Sequence, residues 1–167
     1  MKRIVFLFII SVFFCNISAQ KITKNEKDEF TGRQVIETSW VSISDGFTCQ
    51  IRVIDGFTFL KAGFNCGDHV YAMEDGADFM IKLDNDSIIT LANLEYSIAK
   101  RESIRIGSSN ISHFLLSTRY RLTDEFLNEL KNNKIVKVRF VTTDGFVERD
   151  VSKGNSGKLL KLFNLIK

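Results

Sequence analysis

Proline is missing from this chain altogether, and histidine occurs only twice in 167 residues. Without proline every backbone donor stays available for a ladder, which suits β-sheets. Charge of one sign is scarce too. The formal net charge is +3 and falls to +1 if Lys2 and Arg3 leave with a leader. No basic excess then points to nucleic acid or to an acidic membrane surface. No repeat of the length that builds solenoids is present. Neither the G-x-S-x-G elbow of serine hydrolases nor the H-E-x-x-H of zinc peptidases occurs. The apolar run Ile4 to Phe14, broken only by Ser11, covers about 17 Å as a helix, against a hydrocarbon core of roughly 30 Å. It is too short for a transmembrane anchor.

That run does fit another role. Lys2 and Arg3 precede it, and Ile17-Ser18-Ala19 follows with a small residue before a plausible cut, the three-part layout of a secretory signal. Residues 1–19 are expected to be removed between Ala19 and Gln20, leaving no transmembrane anchor. Lipidation at Cys15 would need a small residue before it, and Phe14 is bulky. The remainder is long enough for one domain with its own core.

What is abundant is phenylalanine, fifteen residues of it, which packs well on a pleated surface. Residues 20–32 are polar and lysine-rich and read as a flexible lead-in. Asp-Gly recurs at 45–46, 55–56, 75–76 and 144–145. Between alternating apolar residues it signals a hairpin, because both central positions of a type I′ turn need positive φ. A two-residue loop at Asp55-Gly56 places Phe47, Cys49, Ile51 and Val53 opposite Phe64, Ala62, Leu60 and Thr58 on one oily face. Thr48, Gln50 and Arg52 then oppose Gly63, Lys61 and Phe59 on a mixed one. The same rule at Asp144-Gly145 pairs Val138 with Val151, Thr142 with Val147 and Arg139 with Asp150. At Asp75-Gly76 it pairs Val70 with Ile81 and Ala72 with Phe79.

Further strands are expected over Gln34–Ser42, Ser87–Ala92 and Ser112–Leu122, while Glu95–Ser109 is ambiguous. Thr123 is a good N-cap with Asp124 and Glu125 in the first turn, and Phe126, Leu127 and Leu130 form a stripe. A last helix is expected from Asn155 or Ser156, with Leu159, Leu160, Phe163 and Ile166 on one face. The expected fold class is α+β: an N-terminal antiparallel meander of hairpins, then a β-α-β-β-α segment with its two helices packed on one sheet face. It forms a single domain over 33–167, with lobes of about 33–110 and 111–167.

The leader ending Ile-Ser-Ala-Gln, the run Lys27-Asp28-Glu29-Phe30-Thr31-Gly32 leading into Ile36-Glu37-Thr38-Ser39-Trp40, and the later runs 122–127 and 137–145 resemble small secreted proteins of Bacteroidetes-type bacteria. The resemblance covers most of the chain after the leader. It implies a Gram-negative periplasm or outer surface, or secretion, and assigns no functional residue. Asp86-Ser87-Ile88 also resembles the O-glycosylation acceptor of those bacteria, which would modify Ser87. A plain turn at Asp84-Asn85-Asp86 explains it as well.

Few residues invite chemistry. Cys49 and Cys66 are an even pair in an oxidising compartment, which suggests a disulfide adding about 3 kcal/mol. The hairpin register opposes it. Cys49 faces Ala62, and Cys66 lies roughly 13 Å further on, whereas bridged Cα atoms lie within about 7 Å. A disulfide and two buried thiols both stay open. Cys66-Gly67-Asp68-His69 supplies one metal half-site that Cys49 and His113 would have to complete, but no second closely spaced pair exists. No cofactor or metal is implied, and no nucleophile with an evident base. Asp and Glu pairs fall at turns, where short polar residues serve the backbone.

Rings remain. By the registers above, Phe57 and Phe59 share the mixed face with Arg52 and Lys61, a patch able to bind a glycan or an envelope protein if nothing covers it. Phe146 shares a face with Glu148 and Asp150, and Trp40 is expected in the core. The leading expectation is an exported, non-catalytic binding or assembly module of the cell envelope. Its alternatives are a hydrolase with an unrecognised acidic site and an inhibitor that inserts a hairpin loop.

Overall fold

A computed structural model of the chain describes residues 20–106 and 109–166. The leader 1–19, its cut and Cys15 lie outside them. The chain runs through β1 (Ile22–Lys27), β2 (Gln34–Thr38), β3 (Val41–Ser44), β4 (Phe47–Ile54), β5 (Phe57–Asn65), β6 (Ala72–Met73) and β7 (Asp78–Leu83). It continues through β8 (Ile88–Ala92), β9 (Ser97–Ile98), β10 (Lys100–Ile106), β11 (Ser109–Leu122), α1 (Asp124–Asn132), β12 (Ile135–Thr142), β13 (Gly145–Asp150) and α2 (Lys153–Phe163).

Two antiparallel sheets face each other. One has seven strands in the order β1-β2-β4-β5-β11-β10, with β3 also on β4. The other has the order β13-β12-β7-β8, and β6 and β9 form a small third pair. Aromatic rings join the two large sheets. Phe47 and Phe64 stack at 4.1 Å, Phe64 meets Phe140 of the facing sheet at 4.0 Å, and Phe79 meets Tyr120 at 5.0 Å. Around them Ile51, Leu60, Leu116, Ile81, Leu91 and Val138 complete one continuous core. Each inner face is the apolar half of a period-two pattern, the condition for a sandwich.

This corrects the α+β expectation. Strand makes up 55% and helix 14%, a β-rich fold built on three antiparallel sheets. The reason lies in long-range pairing. β11 presents Leu116, Thr118, Tyr120 and Leu122 beside Phe64, Ala62, Leu60 and Thr58, and joins β5 along eight residue pairs. β12 is captured by β7, so both sheets draw strands from both halves of the chain. Nor do two helices cover one C-terminal sheet. α2 packs against α1, β3 and β12, and its Leu159, Leu162 and Phe163 fill the gap between the sheets.

The hairpins divide cleanly. At 55–56 the expected register is found from Ile54↔Phe57 to Phe47↔Phe64, with positive φ at both Asp55 and Gly56. At the last hairpin the loop is Thr143-Asp144 instead. Thr142 Oγ1 accepts from the Asp144 N–H and donates to the Gly145 carbonyl, which moves the pairing by two residues. Arg139 therefore faces Glu148, not Asp150, and Val138 faces Arg149. At 75–76 there is a turn but no hairpin. β7 has β8 on one edge and β12 on the other, so Ala72–Met73 pairs with β9. Residues 20–32, read above as a flexible lead-in, carry β1, a mostly exposed strand paired with β2.

Thr123 and Ser152 cap the helices, accepting from the N–H of Phe126 and of Asn155. The second cap starts α2 at Lys153, two or three residues before the expected Asn155 or Ser156. Among the described residues no helix is long and apolar enough to cross a membrane.

Candidate functional site

The outward face of the seven-stranded sheet collects the rings and cations. Cross-strand pairing fixes two adjacent rows there. One runs Glu37–Arg52–Phe59–Arg121, and the next Gln50–Lys61–Arg119. The four residues singled out from the sequence, Arg52, Phe57, Phe59 and Lys61, thus share this face. The Arg121 guanidinium sits 4.7 Å from the centre of the Phe57 ring, which is 53% exposed. Phe59 is half-buried between Arg52 and Arg121.

Trp40 belongs to the same face, which corrects its expected place in the core. It is 48% exposed, and the Lys61 ammonium lies 5.7 Å from its ring centre. The cause is a break in the strand expected over 34–42. Thr38 Oγ1 accepts the Ile51 N–H, and Gln50 Nε2 donates to the Thr38 carbonyl, so side chains replace the ladder and the chain kinks. β2 ends at Thr38 and β3 starts at Val41, leaving Trp40 outside both strands and across Gly63. A Cβ on Gly63 would lie 3.8 Å from the Trp40 ring and 3.1 Å from Thr48 Oγ1. The missing side chain lets the indole lie low on the sheet.

The charges on this face are unevenly matched. Glu37 holds Arg52 at 3.0 Å and Glu95 holds Arg119 at 3.1 Å. Lys61 and Arg121 make no ion pair among the described residues; each rests on a ring instead. Such contacts are worth about 0.5–1 kcal/mol at exposed sites. Beyond β11 the face continues into a groove of about 490 Å³ lined by Glu95, Tyr96, Ser97, Ile98, Leu115 and Ser117, among others. Tyr96 is 54% exposed there. Asn93 holds this corner: it bridges to Tyr120, and its side-chain amide donates to the carbonyls of Glu74 and Glu95.

Other candidates are dispersed. Cys49 and Cys66 are both free and buried. Burial pushes the Cys49 thiol up to about 12 and raises Cys66 as well, the reverse of what a nucleophile needs. His69 is exposed, and only its backbone N–H reaches the Cys66 carbonyl. Among the described residues no three His, Cys, Asp or Glu side chains gather as a metal site would require. Ser87 is exposed in the β7–β8 turn, its hydroxyl donating to Asn85 Oδ1. Phe146 lies on the outer face of the four-stranded sheet with Arg139 above its ring at 4.7 Å, beside the cluster Lys137–Glu148–Arg139.

Arg119, Arg121, Glu95 and Tyr96 escaped the sequence reading of this face. The alternation of β11 shows Arg119 and Arg121 opposite its apolar side, but not that β5 is its neighbour. No known protein family, no curated protein and no solved structure matches the chain.

Proposed function

We propose that the chain is an exported, non-catalytic binding module of the cell envelope, and that the outer face of the seven-stranded sheet is its recognition surface. One observation carries this reading: half-exposed rings sit beside cations that, among the described residues, have no carboxylate ion-pair partner, and the rings themselves stay open to water. Rings with one apolar and one open side, next to fixed charge, are what partners dock against. The export leader supports an envelope or extracellular setting.

Sedimentation of residues 20–167 with purified envelope tests the reading. Trp40→Ala/Phe57→Ala is expected to lose most of the bound fraction while its circular dichroism stays native. Equal binding by this variant and wild type overturns it.

The inhibitor reading has one observation in its favour. Phe30, 99% exposed, tips the β1–β2 loop, which Asp28 pins by accepting from the N–H groups of Phe30 and Thr31 and from the Thr31 hydroxyl. Phe30→Ala separates the two readings. It leaves envelope binding intact if the sheet face is the site and removes binding if the loop is.

A further inference from the structure

Resting on that recognition face, we propose that its ligand is an acidic polysaccharide, a linear chain of sugar rings bearing carboxylates that lies along β5 over Phe57, Phe59, Lys61 and Trp40. Charge is the first ground. The block Arg52–Phe59–Arg121 and Gln50–Lys61–Arg119 holds four cations in six positions. Glu37 and Glu95 each engage one arginine, so Lys61 and Arg121 are left over. The two are diagonal neighbours on paired strands, with backbones roughly 7–8 Å apart. The Lys61 ammonium leans toward Trp40 and the Arg121 guanidinium toward Phe57, so the two cations offer places for separate, successive carboxylates of one chain.

Ring geometry is the second ground. Trp40 lies over Gly63 and stays half exposed, and Phe57 likewise keeps an open side. The electron-rich face of an aromatic ring attracts the slightly positive C–H groups that line the flat side of a sugar. Along β5 the outward positions read Phe57, Phe59 and Lys61, with Trp40 over Gly63, so rings flank the cation as sugar faces flank a carboxylate on a polyuronate.

Shape is the third. From Phe57 to Gly63 the outward residues of β5 cover roughly 20 Å at ~3.3 Å per residue, a length suited to a linear chain, and at the Phe57 end the strip opens into a hollow of about 430 Å³ shared by Phe57, Arg121 and Asp124. β5 is an interior strand with β4 and β11 on its edges. An acidic peptide adding as a strand has no edge to join here.

The test is titration of residues 20–167, reading Trp40 fluorescence and isothermal heat, with polygalacturonate, dextran, polyglutamate and a single-stranded oligonucleotide. Polygalacturonate is expected to bind saturably and to weaken as salt rises. Lys61→Gln/Arg121→Gln is expected to bind it about tenfold more weakly, and Lys61→Arg to retain it. Dextran, lacking charge, and polyglutamate, lacking sugar rings, are each expected to bind about tenfold more weakly than polygalacturonate.

Equal binding of dextran, or no effect of the glutamine variant, overturns the acidic preference. Equal binding of polyglutamate or the oligonucleotide overturns the saccharide. If no polymer binds yet Trp40→Ala/Phe57→Ala still abolishes envelope binding, the ligand assignment fails while the recognition face stands. If envelope binding is also unaffected, both fail.

Discussion

Truncating Phe57 and truncating Phe47 should cost the fold very different amounts, although each ring follows an Asp-Gly turn in the same β4–β5 region. Phe47 is 2% exposed and stacks on Phe64 while touching Phe79 and Phe140 of the facing sheet. Its removal opens a cavity at the junction of the sheets, and Phe47→Ala is expected to cost about 3–5 kcal/mol. Phe57 keeps half its surface in water. Full burial of such a side chain is worth about 1.5–3 kcal/mol, so half of it gives about 1, and the Arg121 contact adds about 0.5–1. Phe57→Ala should therefore cost about 1.5–2 kcal/mol, and Trp40→Ala a similar amount. Urea denaturation followed by circular dichroism measures both without relying on the tryptophan. If Phe57→Ala and Trp40→Ala each cost as much as Phe47→Ala, the outer rings are structural, and the reasoning that makes them a recognition surface is refuted.

Further outcomes follow from single contacts. Thr123→Ala and Ser152→Ala should each cost about 1 kcal/mol in the same assay, since each removes the hydroxyl that accepts a helix N–H. In the native state neither Cys49 nor Cys66 should react with a thiol reagent at pH 8, because burial raises both; both should react once the chain is unfolded. Hydrogen bonds from Lys137 and then Arg139 hold the Glu148 carboxyl below its ordinary value of 4.5. Its contribution is therefore complete above that value and is lost as pH falls through the lowered one. The stability difference between wild type and Glu148→Gln should be flat near neutrality and shrink in acid. A difference that grows in acid contradicts the assignment.

How much of this was legible in the sequence follows from the range of each interaction. The hairpin at Asp55-Gly56 was readable to the residue because two adjacent positions with positive φ determine it locally. The α1 cap at Thr123 was readable for the same reason. Thr142 displaced the last hairpin by a competing side-chain bond, and that competition leaves no mark in an apolar/polar pattern. The Asp75-Gly76 hairpin failed because β12, distant in sequence, took the strand edge it needed.

The site divides along the same line. Phe57, Phe59, Arg52 and Lys61 came from one local register. Arg119 and Arg121 required the β5–β11 pairing, and Trp40 required the kink at Thr38. A lone tryptophan is expected inside; here two hydrogen bonds to the strand next door turn it out.

Trp40 is the sole tryptophan of the chain, so its fluorescence reports on this face alone. The most direct test of the account is quenching of native residues 20–167 by iodide and by caesium. A half-exposed indole beside Lys61 should be quenched strongly by iodide and weakly by caesium, and Lys61→Gln should narrow the gap. Emission that neither ion reaches until the chain unfolds would place Trp40 in the interior and contradict the recognition face.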